Sequence, residues 1–235
     1  MEAMEYVVPA VFVLFSILFG VGGLYFGVRR TKRQRERAER AALELGLEFS
    51  AGEDAILAAY GGKEGDPSLK LWEKQPAFLK KLFSALGPWR LVGKRDGIDV
   101  AVYEETRSSG KSSTTYTVVR AYYPEPLPFE LRVAKEGFFA KVGKSLFGLQ
   151  DVEIGDPEFD TEFRVKTGDP LQAKLRLDRP ETKRAFLEAL RAYPAFRAER
   201  AFVHYERVGI HTDAEELRPV LGLLVPAARA LGEGD

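Results

Sequence analysis

The chain has 235 residues, 45% hydrophobic and 30% charged, which suits a folded domain and excludes a disordered one. Its 35 basic and 35 acidic residues cancel, so no overall field invites nucleic acid, and none is expected as a partner. The lack of cysteine excludes disulfides, thiol catalysis and cysteine-based zinc sites; with only His204 and His211 to offer imidazole, no metal or cofactor is expected.

From Tyr6 to Val28 the chain runs 23 residues without a charge. As a helix this stretch reaches roughly 35 Å at about 1.5 Å per residue, enough for a hydrocarbon core of about 30 Å. Residues 1–28 are therefore expected to form a transmembrane anchor, helical because a lone span must satisfy its backbone internally. A buried core helix rarely stays apolar for that length. A cleaved signal peptide would want a basic start, and this start carries Glu2 and Glu5. Ser16, Gly20, Gly23 and Gly27 recur at steps of four, three and four and so share one helix face. Small residues there would let two spans approach closely as a homodimer, although glycine is also common in spanning helices generally.

Arg29, Arg30, Lys32, Arg33, Arg35, Arg37 and Arg40 follow at once, and no lysine or arginine precedes the run. Flanking cations stay on the cytoplasmic side. The expected localisation is thus the cell membrane, single-pass, with the amino end outside and residues 29–235 in the cytoplasm. Residues 29–45 read as a basic juxtamembrane helix whose Ala38, Ala41, Ala42 and Leu45 repeat at helical steps, closed by Gly46. The cations through Arg37 are the expected contact with the lipid bilayer, anionic lipids above all, each worth about 1 kcal/mol near a charged leaflet. Topology signalling alone would also explain them.

Residues 46–235 read as an α+β cytoplasmic domain, a largely antiparallel sheet with packed helices. "GLEFS" is a short strand, and "GGKEGDPS" (61–68) a loop. "PAFLKKLFSALGPW" is an amphipathic helix ended by Gly87-Pro88. "WRLVGKRDGIDVAVYEETR" predicts two strands turning at Arg95-Asp96-Gly97, where Asp-Gly is a strong hairpin signal. "TTYTVVRAYY" and "FELRVA" continue the sheet, and "KEGFFAKVGKSLFGL" is a basic amphipathic helix. Strands over 151–154 and 162–167, an ambiguous "PLQAKLRL", a helix over 180–192, a hairpin over 196–208 and a final helix complete the chain. The last helix is expected to start with a capping box of Thr212 and Glu215. Helices 77–86 and 135–147 combine aromatic faces with lysines. They suit either one side of the sheet or a lipid surface, with Trp89 at the water–lipid boundary in the second case.

Three stretches carry letters associated with chemistry. "RSSGKSSTTY" (107–116) ends like a phosphate loop, but Glu105 stands where the first glycine belongs and a β-branched run follows. It predicts a hairpin tip. "DVEIGDPEFDTEF" holds Asp151, Glu153, Asp156, Glu158, Asp160 and Glu162 without the spacing of a calcium loop, and predicts a solvated edge with a turn at Asp156-Pro157. His204 shares a strand face with Phe202 and Glu206. No nucleophile motif accompanies it, so a structural histidine is expected. His211 is expected to be exposed.

"DPEFDTEFRVKTGDP" resembles a group of bacterial membrane-anchored proteins of unknown function. In that group a spanning helix and basic segment precede a D-P-x-F-x-x-x-F-x-V stretch and a carboxyl-terminal helix. The matching residues are Asp156, Pro157, Phe159, Phe163 and Val165, with "LGLEF" and "LPFELR" as further points of similarity. "DPLQAKLRLDRPE" departs from the pattern, which would want a cleaner helix there. The resemblance implies this layout and brings no catalytic residue. The expected function is a single-pass membrane-anchored protein whose cytoplasmic domain binds a protein or lipid partner. The alternative is a membrane-tethered enzyme without a recognisable motif. A deep polar pocket with convergent carboxylates and a shifted pKa would favour the second, and a shallow, apolar or basic face beside the membrane the first.

Overall fold

The computed structural model describes Gly27 and residues 29–51, 88–110, 112–135 and 148–233. Two compact units divide the chain, Met1–Arg37 with Ala51–Gly87, and Ala38–Ser50 with Pro88–Asp235. Residues 29–45 are helical (α1). In the second unit Ala38, Ala41, Ala42 and Leu45 are all buried, the face their spacing predicts. Gly46 then takes a left-handed φ of 67°, which glycine adopts without a side-chain clash. Leu47 N–H reaches back to the Ala42 carbonyl at 2.8 Å and Gly46 N–H to Leu43 at 3.3 Å, a Schellman closure. Arg95 Nη1 caps the Leu45 carbonyl at 3.0 Å.

Among the described residues nine strands form one sheet. They are β1 (Glu48–Ala51), β2 (Trp89–Arg95), β3 (Ile98–Ser109), β4 (Ser112–Tyr122), β5 (Leu131–Ala134), β6 (Gln150–Val152), β7 (Arg164–Thr167), β8 (Arg197–Glu199) and β9 (Phe202–Val208). Their order is β1-β2-β3-β4-β9-β8-β5-β7-β6, and every pairing from β2 to β6 is antiparallel. The predicted α+β class with an antiparallel sheet is what forms. Asp96 (φ 50°) and Gly97 (φ 83°) make the two-residue turn between β2 and β3. Residues 107–110 and 112–116 form the end of the β3–β4 hairpin, with Ser109 opposite Ser112.

Among the described residues of this unit four further helices accompany the sheet: α2 (Pro157–Glu162), α3 (Pro170–Leu177), α4 (Pro180–Ala192) and α5 (Ala214–Gly232). Helix α5 packs on β3, β4 and β9. It buries Leu217, Leu221, Leu224 and Leu231, and the strands bury Leu91, Val100, Val102, Val119 and Val203. At its far end Arg176, Arg179 and Thr182 donate to the carbonyls of Ala230, Leu231 and Glu233, satisfying groups a helix terminus leaves open.

Several expectations change here. The turn expected at Asp156-Pro157 is instead the start of helix α2, where Asp156 Oδ1 accepts the Glu158 and Phe159 N–H groups at 3.1 Å and Pro157 opens the helix; the strand expected over 162–167 forms as β7 from Arg164. "PLQAKLRL" is helix α3 by the same device, Asp169 capping Gln172 N–H at 3.1 Å. The Thr212–Glu215 capping box does not form. Asp213 is the N-cap residue without a side-chain bond, and Thr212 is buried one position earlier. Trp89 is 2% exposed and opens β2, so it serves the core and no lipid boundary. Among the described residues no helix is long and apolar enough to cross a membrane. The span expected over 1–28, with Ser16, Gly20 and Gly23, lies outside them, as do helix 77–86 and residues 136–147. Gly27 is helical and exposed, and its carbonyl accepts the Thr31 hydroxyl at 3.1 Å.

Candidate functional site

Three places gather groups able to recognise a ligand. The first is the basic helix. Arg29, Arg30, Arg33 and Arg37 recur at steps that place them on one face of α1, and with Gln34 they line a groove of about 330 Å³. Lys32 is exposed elsewhere on the helix, and Arg35 is half-buried. Of the six cations expected at a membrane surface, four therefore converge and two do not.

The second is the face of the sheet opposite α5. Glu206 on β9 is held by two forks: Arg107 reaches its oxygens at 3.2 and 2.8 Å, and Arg197 at 3.3 and 2.6 Å. Burial works against the Glu206 charge, but the hydrogen bonds from Arg107 and Arg197 outweigh it and hold the carboxyl below its usual range. Arg107 also donates to Glu105 at 2.8 Å. Register places His204 between Arg120 and Arg197, and its ring stacks on Phe202 at 5.5 Å and 18°. Both His204 nitrogens are buried and have no hydrogen-bond partner among the described residues. The Glu–His pair that the strand face offers is thus not made, because the arginines take the carboxylate. Arg120 lies over the Phe202 ring at 4.2 Å and the Tyr103 ring at 5.3 Å, two cation–π contacts. Burial pushes the Tyr103 phenol up to about 12.

The third is a cleft of about 160 Å³ on the α5 side, where the sheet runs past the first turns of the helix. Opposed pairs along β4 and β9 change there from Ala121 and Val203, through Val119 and Tyr205, to Thr117 and Arg207. Val119, Leu217 and Val220 form its buried apolar part. Tyr193 and Tyr205 stand beside each other, ring centroids 4.8 Å apart at 47°. At the rim His211 Nδ1 lies 2.8 Å from Glu216 Oε2 and Nε2 lies 3.1 Å from the Val208 carbonyl. His211 is thus half-buried with an acceptor facing each ring nitrogen, against the expectation that it is exposed. Its approach is set by Thr117, whose hydroxyl donates to the Gly209 carbonyl at 2.9 Å and accepts His211 N–H at 2.8 Å. Gly209 has φ 99°, and a Cβ there would sit 3.2 Å from His211 Nε2. Nothing local in the sequence marks Tyr193, Tyr205 or Arg207; their meeting depends on strand register and on the placement of α5.

The acidic stretch is spent on structure. Asp151 pairs with Lys166 at 2.8 Å, Asp156 with Lys183 at 3.0 Å and Glu162 with Lys135 at 3.6 Å, and Glu158 meets Arg191. Asp160 accepts the Ile154 and Gly155 N–H groups, both at 2.8 Å. The D-P-x-F-x-x-x-F-x-V residues are likewise structural. Phe159, Phe163 and Val165 are buried, and the two rings join Phe186 and Phe196 in one aromatic cluster.

No family model matches the chain, and no curated protein matches it. Among solved structures, the crystal structure of the mycobacterial trehalose monomycolate transport factor A, TtfA, aligns with a TM-score of 0.47 and 11% identity, over 86% of this chain and 98% of that one.

Proposed function

We propose that the chain is a single-pass membrane protein, amino end outside, whose cytoplasmic α+β domain is a binding module. One observation carries the reading: an uncharged run of 23 residues passes directly into seven cations, four of which share a helix face. Such a run has the length of a bilayer crossing, and such cations resist translocation. The basic face then lies against anionic headgroups and holds α1 near the leaflet. Binding is favoured over catalysis at the Glu206 face because Arg107 and Arg197 hold its carboxylate, so it does not stand free as a general base.

Reporter fusions at the carboxyl end test the topology. A fluorescent protein that matures only inside the cell should be bright there, and a phosphatase active only outside should be silent. Changing Arg29, Arg30, Arg33 and Arg37 together to glutamate should raise the phosphatase signal. Phosphatase activity in the unaltered chain would overturn the proposal.

A further inference from the structure

The rim of the cleft on the α5 side is already satisfied, except in one respect. The Glu216 carboxylate lies against His211 Nδ1 and the Val208 carbonyl against its Nε2, and the Thr117 hydroxyl is taken by Gly209 and the His211 backbone. Arg207, exposed at the mouth, makes no ion pair or hydrogen bond with its side chain among the described residues, and neither do the Tyr193 and Tyr205 hydroxyls. What remains unmatched is one cation and two hydroxyl donors, beside an apolar pocket.

We propose that this cleft binds a small monocarboxylate with an apolar body, its carboxylate on Arg207 and the tyrosine hydroxyls, its body against Val119, Leu217 and Val220. Guanidinium presents two parallel N–H groups that match a carboxylate. Burial raises both tyrosine pKa values, most simply for Tyr193, and against the opposing field of Arg207 for Tyr205, so both phenols stay protonated as donors. A single unmatched charge suits a monoanion; a phosphate dianion would bring a second charge toward Glu216. Size sets the other limit. The volume of about 160 Å³ equals roughly five water volumes, room for a body of fewer than about ten heavy atoms. This inference goes beyond the membrane reading and stands without it, because every residue it uses lies in the sheet-bearing unit.

The test uses the purified full-length chain and benzoate as the probe, followed by ligand-observed NMR. Benzoate should bind saturably with a Kd of roughly 1 mM, ordinary for so small a ligand. Benzyl alcohol, the same shape without the charge, should bind at least about fivefold more weakly, and inorganic phosphate should not compete. Arg207→Gln should weaken benzoate about tenfold. Val220→Phe, which fills the pocket, should abolish the signal; should that variant not fold, Arg207→Gln decides alone, since its side chain is exposed. Binding that survives Arg207→Gln unchanged, competition by phosphate, or no saturable binding would each overturn the proposal. A reporter fusion of the wrong topology would leave it standing.

Discussion

His204 is 3% exposed, and burial first, then the fields of Arg197, Arg120 and Arg107, hold its pKa well below the ordinary value. A histidine in the unfolded chain takes up its proton near about pH 6.5. As pH falls below that point the unfolded chain binds a proton that the fold refuses, so stability is lost from there downward. Glu206 acts lower: its depressed pKa gives stability that is present above the usual carboxylate range and lost as pH falls through its folded value. The two windows are separable. Urea midpoints should drop between about pH 6.5 and pH 5 in the native sequence and stay nearly level over that range in His204→Leu. Equal slopes in the two proteins would rule His204 out as the cause. That His204 is a sheet residue follows from its alternation with Phe202. Its lack of a hydrogen-bond partner among the described residues does not, because the arginines that surround it arrive from β3, β4 and β8 through register.

Helix α2 shows where local reading stops. Asp-Pro serves a turn and a helix start equally well, since both want a side-chain acceptor followed by a fixed φ. Six residues are too few for a periodic signal, and the alternation of Asp151, Val152, Glu153 and Ile154 favours reading the stretch onward as a strand edge. What decides is tertiary: Phe159 and Phe163 enter the aromatic cluster with Phe186, and Asp160 ties the incoming loop to the helix. Asp160→Ala should cost about 2–3 kcal/mol in urea unfolding, because the buried approach at Ile154 loses a charged acceptor; Asp160→Asn should cost about half as much. A loss under about 0.5 kcal/mol for Asp160→Ala would show that the loop holds without it. Long elements were far more legible. The spacing of Ala38, Ala41, Ala42 and Leu45, the boundaries of α4 and the Asp96-Gly97 turn are each stated by a handful of adjacent residues. The cleft was not, because its lining comes from β4, β9, α5 and the Tyr193 corner.

At the scale of the whole molecule, the β4–β9 pairing joins two blocks of strands, β1 to β4 and β5 to β9. Within the first block β2, β3 and β4 are consecutive hairpins, whereas the seam brings together residues such as Thr117 and Gly209, 92 apart in the chain. Closing a loop of that length costs about 4 kcal/mol of chain entropy before any contact repays it. The molecule should therefore fold at the unhurried pace of non-local β topologies, with the hairpins early and the seam late. Two truncations of equal chemistry separate these stages. Val102→Ala in β3 and Val203→Ala in β9, both fully buried, should each destabilise by about 2 kcal/mol. In stopped-flow mixing the first should mainly slow refolding, and the second should mainly hasten unfolding. Should Val203→Ala slow refolding as much as Val102→Ala does, the seam belongs to the nucleus. If the seam does form late, the cleft beside it is the last feature to appear as the chain folds and the first to open when it yields. An occupant of that cleft would then act as a brake on unfolding, lengthening the life of the native state without changing how fast it is reached.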